Sequence, residues 1–200
     1  MPSLTFLDLP GEIRNQIYHI LLVIRPISIP RPLFTDPPIC PQILSVCRKV
    51  HDEAEQILYG CNVFIAHANL LTGLPRLRWH YDPISSPRVI SIIKKYYIVV
   101  RLECDPNFSA RKAMDAFSGM EELTIRVEQS AYRGSGSDYR ALRLFENVRG
   151  VKETNVSGSV TGFPVYAEWL KDVMKMPEDA HILPFEGRKM ESLNFSGLEI

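Results

Sequence analysis

Little in this chain points to reaction chemistry. Its 200 residues contain four cysteines, Cys40, Cys47, Cys61 and Cys104, irregularly spaced and without a Cys-x-x-Cys pair. That excludes a disulfide-stapled secreted domain. Lys plus Arg (23) balances Asp plus Glu (23). A duplex nucleic-acid binder usually carries a basic excess, because affinity comes largely from neutralised phosphates, so no nucleic-acid partner is expected. Ile17 to Ile24 is apolar but far short of the roughly 20 residues that cross a bilayer. The opening residues show no basic stretch followed by an apolar run, so neither a signal peptide nor a membrane partner is expected. A cytoplasmic or nuclear protein follows, with the sequons at Asn107, Asn155 and Asn194 unglycosylated.

Hydrophobic residues make up 46% and charged residues 23%, ordinary values for a chain that buries a core. The length suits one domain, or a small helical module followed by a larger α/β part. A first helix is expected over about 8–25: Asp8 offers a capping oxygen, Pro10 suits the first turn, and Ile13, Ile17, Ile20, Leu21 and Ile24 recur at helical spacing. Pro26 stops it. A proline-rich connector follows, with Ile27-Ser28-Ile29 as a short extended piece. A second helix is expected from Pro41 to Tyr59, its stripe formed by Ile43, Cys47, Val50, Ala54 and Ile57, with Gly60 as its stop.

From Asn62 the pattern changes. Strands are expected at 63–66, 97–102, 123–127 and 151–156. Helices are expected at 88–95, 108–117, 139–148 and 165–176, and residues 70–77 read as irregular or a short helix. Alternation of strand and helix implies βαβ units and a mainly parallel sheet. The units recur at about 25–30 residues, within the range of leucine-rich repeats. Residues 119–125 match 149–155 in rhythm: a helix ends and a strand begins at once. The tail, Met190 to Ile200, would add an edge strand through Leu193-Asn194-Phe195 or fray.

The segment Phe6-Leu7-Asp8-Leu9-Pro10-Gly11-Glu12-Ile13-Arg14-Asn15-Gln16-Ile17-Tyr18 resembles the opening of a family of fungal F-box-like proteins, with the pattern Leu-Pro-x-Glu-Ile-Arg-x-x-Ile-Tyr. Ile43 to Tyr59, followed by Asn62-Val63-Phe64, is similar to that family's second helix. The resemblance implies an α/β protein with an F-box-like helical hairpin at 1–61, including the connector at 23–41. A short, degenerate leucine-rich-repeat-like βα recognition domain would follow at 62–200. It implies that Leu9, Pro10, Ile13 and Ile17 face the adaptor Skp1, and that the repeats select a target protein for ubiquitination. The connector is longer than a standard F-box link, and the Trp that often closes an F-box is missing. The residues alone also allow Leu9, Ile13 and Ile17 to be internal core, and allow a scaffold or regulatory module without any ubiquitin link.

Other candidates carry less. Cys47 and His51 stand at i and i+4, a metal-ligand spacing, but no second pair accompanies them, so a core cysteine beside an ordinary histidine is expected. His19, His67, His80 and His181 belong to no motif, and there is no Gly-x-Ser-x-Gly elbow. The glycine loops at 134–138 and 158–162 lack phosphate-loop signatures and read as turns. A small-molecule α/β enzyme using the second loop is the weakest alternative, and neither cofactor nor metal is expected. Arg76, Arg78, Arg88, Lys94, Lys95 and Arg101 cluster with Trp79, Tyr81, Tyr96 and Tyr97. They read first as a solvated face with aromatics tucked into the core, second as a protein-recognition surface through Arg76, Arg78, Trp79 and Tyr81, and third as a site for single-stranded nucleic acid.

Overall fold

The computed structural model describes residues 5–24, 39–129 and 139–185. The connector's Ile27–Ile29, the glycine loop at 134–138 and the tail from 190 lie outside them. The chain divides into two compact units, Met1–Ile65 with Gly73–Lys95, and Ala66–Thr72 with Tyr96–Ile200. Five strands form one sheet: β1 Phe64–His67, β2 Leu71–Arg76, β3 Lys95–Arg101, β4 Glu122–Glu128 and β5 Glu153–Gly158, in the order β2-β1-β3-β4-β5.

The first unit is built on helices α1, Gly11–Leu22, and α2, Arg48–Cys61. Asp8 does not cap α1. It closes its own short 3-10 turn, Phe6–Asp8, where its carboxylate accepts from the Thr5 amide and hydroxyl, both at 2.8 Å. Pro10 occupies the cap position of α1. The second expected helix is two pieces: a 3-10 turn, Pro41–Ser45, then α2. Cys47 is the extended residue before α2 and is exposed, not part of its core stripe. Gly60 lies inside α2, which ends at Cys61 with Asn62 as its cap.

The two helices are not an up-down hairpin. Arg14 and Tyr18 meet Glu53, while Leu22 and Ile24 meet Asn62. The contacts advance together along both helices, so α1 and α2 run in the same sense. A parallel pair needs a connection that travels back along about 18 Å of helix, at 1.5 Å per residue. The Cys40 amide donates to the Leu21 carbonyl at 2.9 Å, still at the far end of α1, so residues 41–47 make that return before α2 begins.

Residues 70–77 are strand, not irregular or helical. The link from β1 to β2 is residues 68–70, too short for a parallel crossover, so the pair is antiparallel. β2 holds Pro75 and has Leu71 and Leu74 at φ 51° and 56°. Its edge position accommodates a residue with no amide to donate. The expected helix at 88–95 shrinks to α3, Pro87–Ile90, and Lys95 already belongs to β3.

In the second unit, strands alternate with α4, Ala110–Phe117, a 3-10 turn, Arg140–Phe145, and α5, Pro164–Lys175. Ser109 caps α4, its hydroxyl accepting from the Lys112 amide at 3.3 Å. The alternation Leu123, Ile125, Val127 buries one face of β4. β4 and β5 are parallel, with Glu122 opposite Glu153 and Val127 opposite Gly158. The repeat offset is therefore 31 residues, which pairs Gly119 with Gly150, not with Arg149. Both glycines have positive φ, 73° and 68°, and the Gly119 amide donates to the Arg149 carbonyl at 2.9 Å. Each turns the chain from a helical segment into a strand at the same level of the stack. Phe117 and Phe145 stack at 6.1 Å beneath them, with Phe108 edge-on to Phe145.

Candidate functional site

Helix α1 has two faces. Arg14, Tyr18 and Leu22, each four residues apart, point inward and are buried. The Arg14 guanidinium donates to both Glu53 oxygens, at 2.9 and 2.6 Å, and to the Leu9 carbonyl. The Tyr18 hydroxyl donates to Glu53 at 3.0 Å. A buried charge is tolerated here because it is paired and its donors are satisfied. The Arg14 hydrogen bonds hold the Glu53 carboxyl down at about 2. Burial, with the Glu53 carboxylate beside it, pushes the Tyr18 hydroxyl up to about 12.

Because the inward face is taken by Arg14, Tyr18 and Leu22, the expected apolar stripe turns outward. Ile13 is 41% and Ile20 82% exposed, Ile17 and Leu21 are half-buried, and only Ile24, beyond the helix, is buried. Ile13, Ile17 and Ile20 share one helix face by their spacing. Leu9 is half-buried and Pro10 exposed. Leu7 and Val46 are also exposed apolar residues of this unit. Sequence periodicity marks the apolar face and leaves open whether it is core, since it weighs hydrophobicity and cannot see that a distant Glu53 neutralises Arg14. The Arg14–Tyr18 spacing of four, a cation and an aromatic on one line, is the signal that could have revealed it.

Asn62 closes the far end of the helix pair. It is 1% exposed. Its amide donates to the Leu22 and Leu58 carbonyls at 2.9 and 2.8 Å, and its oxygen accepts from the Ile24 amide at 2.8 Å. One side chain thus satisfies backbone groups freed at the ends of both helices.

The second candidate surface is only partly one. Trp79 is 57% exposed and Tyr81 half-buried, its ring 4.3 Å from that of His80. Arg76 spans this turn, donating to the Tyr81 carbonyl at 3.2 Å. Arg78, expected on the surface, is buried at 8% exposure and donates to the Leu77 carbonyl at 2.7 Å. The wider basic-aromatic cluster disperses. Arg88 is committed to Glu55, donating to both of its oxygens, and Arg101 lies 3.8 Å from Glu128. Tyr96 and Tyr97 are core residues whose hydroxyls burial shifts upward.

The remaining candidates have structural partners. The His51 ring contacts the Leu44 carbonyl at 2.9 Å and lies 3.6 Å from Glu55. His67 accepts from the Asn69 and Leu70 amides, closing the turn from β1 to β2. Among the described residues, no three His, Cys, Asp or Glu side chains converge as a metal site, and no helix is long and apolar enough to cross a membrane. In the 158–162 loop the Ser159, Val160 and downstream Phe163 amides donate to protein carbonyls, and so are not turned toward an anion. No protein-family model, curated protein or solved structure matches this chain.

Proposed function

We propose that this chain is a non-catalytic protein-interaction adaptor of the F-box-like kind. The outer face of α1, centred on Ile13, Ile17 and Ile20, docks Skp1, and the leucine-rich-repeat-like βα units engage a target protein for ubiquitination. The supporting observation is the outward apolar stripe on α1, with Ile20 82% exposed. Aliphatic residues at i, i+4 and i+7 in water are how a helix presents itself to a partner groove. The test is capture of purified wild type and Ile13→Asp by recombinant fungal Skp1, with circular dichroism as the folding control. Binding by wild type and its loss in the folded variant support the reading; no capture at micromolar concentration rejects it.

A scaffold or regulatory module without a ubiquitin link is the second reading. The long proline-rich link between the two helices favours it, because a standard F-box has a compact one. The same outer face then serves a different protein, and Skp1 fails to bind.

A further inference from the structure

After α5, residues 177–180 form a turn, closed by the Ala180 amide on the Pro177 carbonyl, and residues 181–185 lead from it to the unit's aromatic cluster. The Phe185 ring meets three others: Tyr166 edge-on at 5.1 Å, Trp169 at 5.3 Å and Tyr139 at 6.2 Å. Behind them Tyr139 stacks on Tyr166 at 3.9 Å, and Phe163 backs both. This floor is anchored at Tyr166. Tyr166 is 1% exposed, and its hydroxyl donates to Glu146 at 2.8 Å.

Among the described residues, 177–185 make one backbone hydrogen bond, Ala180 to Pro177, and it is internal. Leu183, two residues before Phe185, is 75% exposed. Pro184 fixes its own φ and pushes the residue before it, Leu183, toward extended backbone. A single aromatic anchor on a proline-stiffened strand is a peptide-in-groove arrangement, here made within one chain.

We infer that Tyr139, Phe163, Tyr166 and Trp169 form a socket for an aromatic side chain on an extended, proline-containing protein segment, and that residues 177–185 occupy it as a displaceable strap. A partner segment of the same chemistry competes with Phe185 for the site. Its affinity is lowered by the fraction of time the strap is seated. The inference does not depend on what docks at α1.

The chain has two tryptophans, so Trp79→Phe leaves Trp169 as the sole reporter. In that background, Phe185→Ala should shift Trp169 emission to the red and increase acrylamide quenching, with circular dichroism unchanged. The peptide Glu-Asp-Ala-His-Ile-Leu-Pro-Phe, matching residues 178–185, should reverse the shift when added to the Phe185→Ala protein. It should bind the parent, strap intact, at least about tenfold more weakly. The same peptide ending in alanine should do nothing. Unchanged emission in Phe185→Ala, or no reversal at millimolar peptide, overturns the socket. Unfolding of Phe185→Ala overturns displaceability, since the fold must survive an empty socket.

Discussion

Arg14 and Glu53, 39 positions apart, form a two-pronged ion pair that decides which side of α1 faces the protein. The pair draws Arg14, Tyr18 and Leu22 inward and leaves Ile13, Ile17 and Ile20 outside. Its energetic weight is visible through pH. Glu53 has its carboxyl lowered from an ordinary 4.5 to about 2. A depressed carboxyl contributes stability that is present above its unfolded value and lost as pH falls through the folded one. Thermal melts from pH 7 to pH 2 should therefore show wild type losing stability below about pH 4.5, and Glu53→Gln losing less over that window from a lower starting point. Tyr18 is raised from 10.0 to about 12, so its contribution is full below pH 10 and lost as pH rises toward 12. Tyr18→Phe should flatten that alkaline limb. Parallel curves for wild type and both variants would contradict the triad.

Asn62 links the ends of α1 and α2 through three hydrogen bonds in a site with almost no water. Removing it leaves a buried amide and two carbonyls short of partners. Asn62→Ala should cost about 2–3 kcal/mol, seen as a lower urea midpoint with an unchanged slope. A loss within experimental scatter would mean that water replaces the side chain.

Two glycines on the β4 and β5 side separate conformational need from spatial need. Both Gly150 and Gly158 have positive φ. A Cβ at Gly150 would sit 3.6 Å from the Gly119 backbone, an ordinary contact, whereas one at Gly158 would sit 2.1 Å from the Val127 carbonyl oxygen. Gly150→Ala should cost about 1–2 kcal/mol from backbone strain alone. Gly158→Ala should cost at least about 2 kcal/mol, because strain and clash add. Equal losses in chemical denaturation would show that the β4–β5 register is wrong.

The strands of the second unit were legible because one face repeats every second residue, as in Leu123, Ile125 and Val127, and helices α4 and α5 because their apolar residues keep helical spacing. β2 was not, since Gly73 and Pro75 are what sequence rules assign to loops, and the positive φ of Leu71 and Leu74 leaves no mark in the sequence. The repeat was recognisable in rhythm but one residue out of step, because matching Gly119 to Arg149 ignored that both turns need a glycine in the left-handed region. At the candidate site, the residues Ile13 and Ile17 were singled out from the sequence, while the side they face was not. Helical periodicity places apolar residues on one face; whether that face is core depends on Glu53 and Asn62, far along the chain. Arg78 failed for the mirror reason, a charged residue whose donors are consumed by nearby carbonyls.

Thermal denaturation of two variants tests the outward orientation of the α1 stripe most directly. Ile13→Asp combined with Ile20→Asp places two charges on the outer face; Leu22→Asp places one on the inner face, where Leu22 is fully buried. Exposed substitutions usually stay within about 0.5 kcal/mol each, so the outer pair should melt within about 4 °C of wild type. An unpaired buried charge costs about 4 kcal/mol or more, so Leu22→Asp should melt at least about 8 °C lower or not fold. If the outer pair is destabilised as much as Leu22→Asp, the stripe is internal core and no partner docks there.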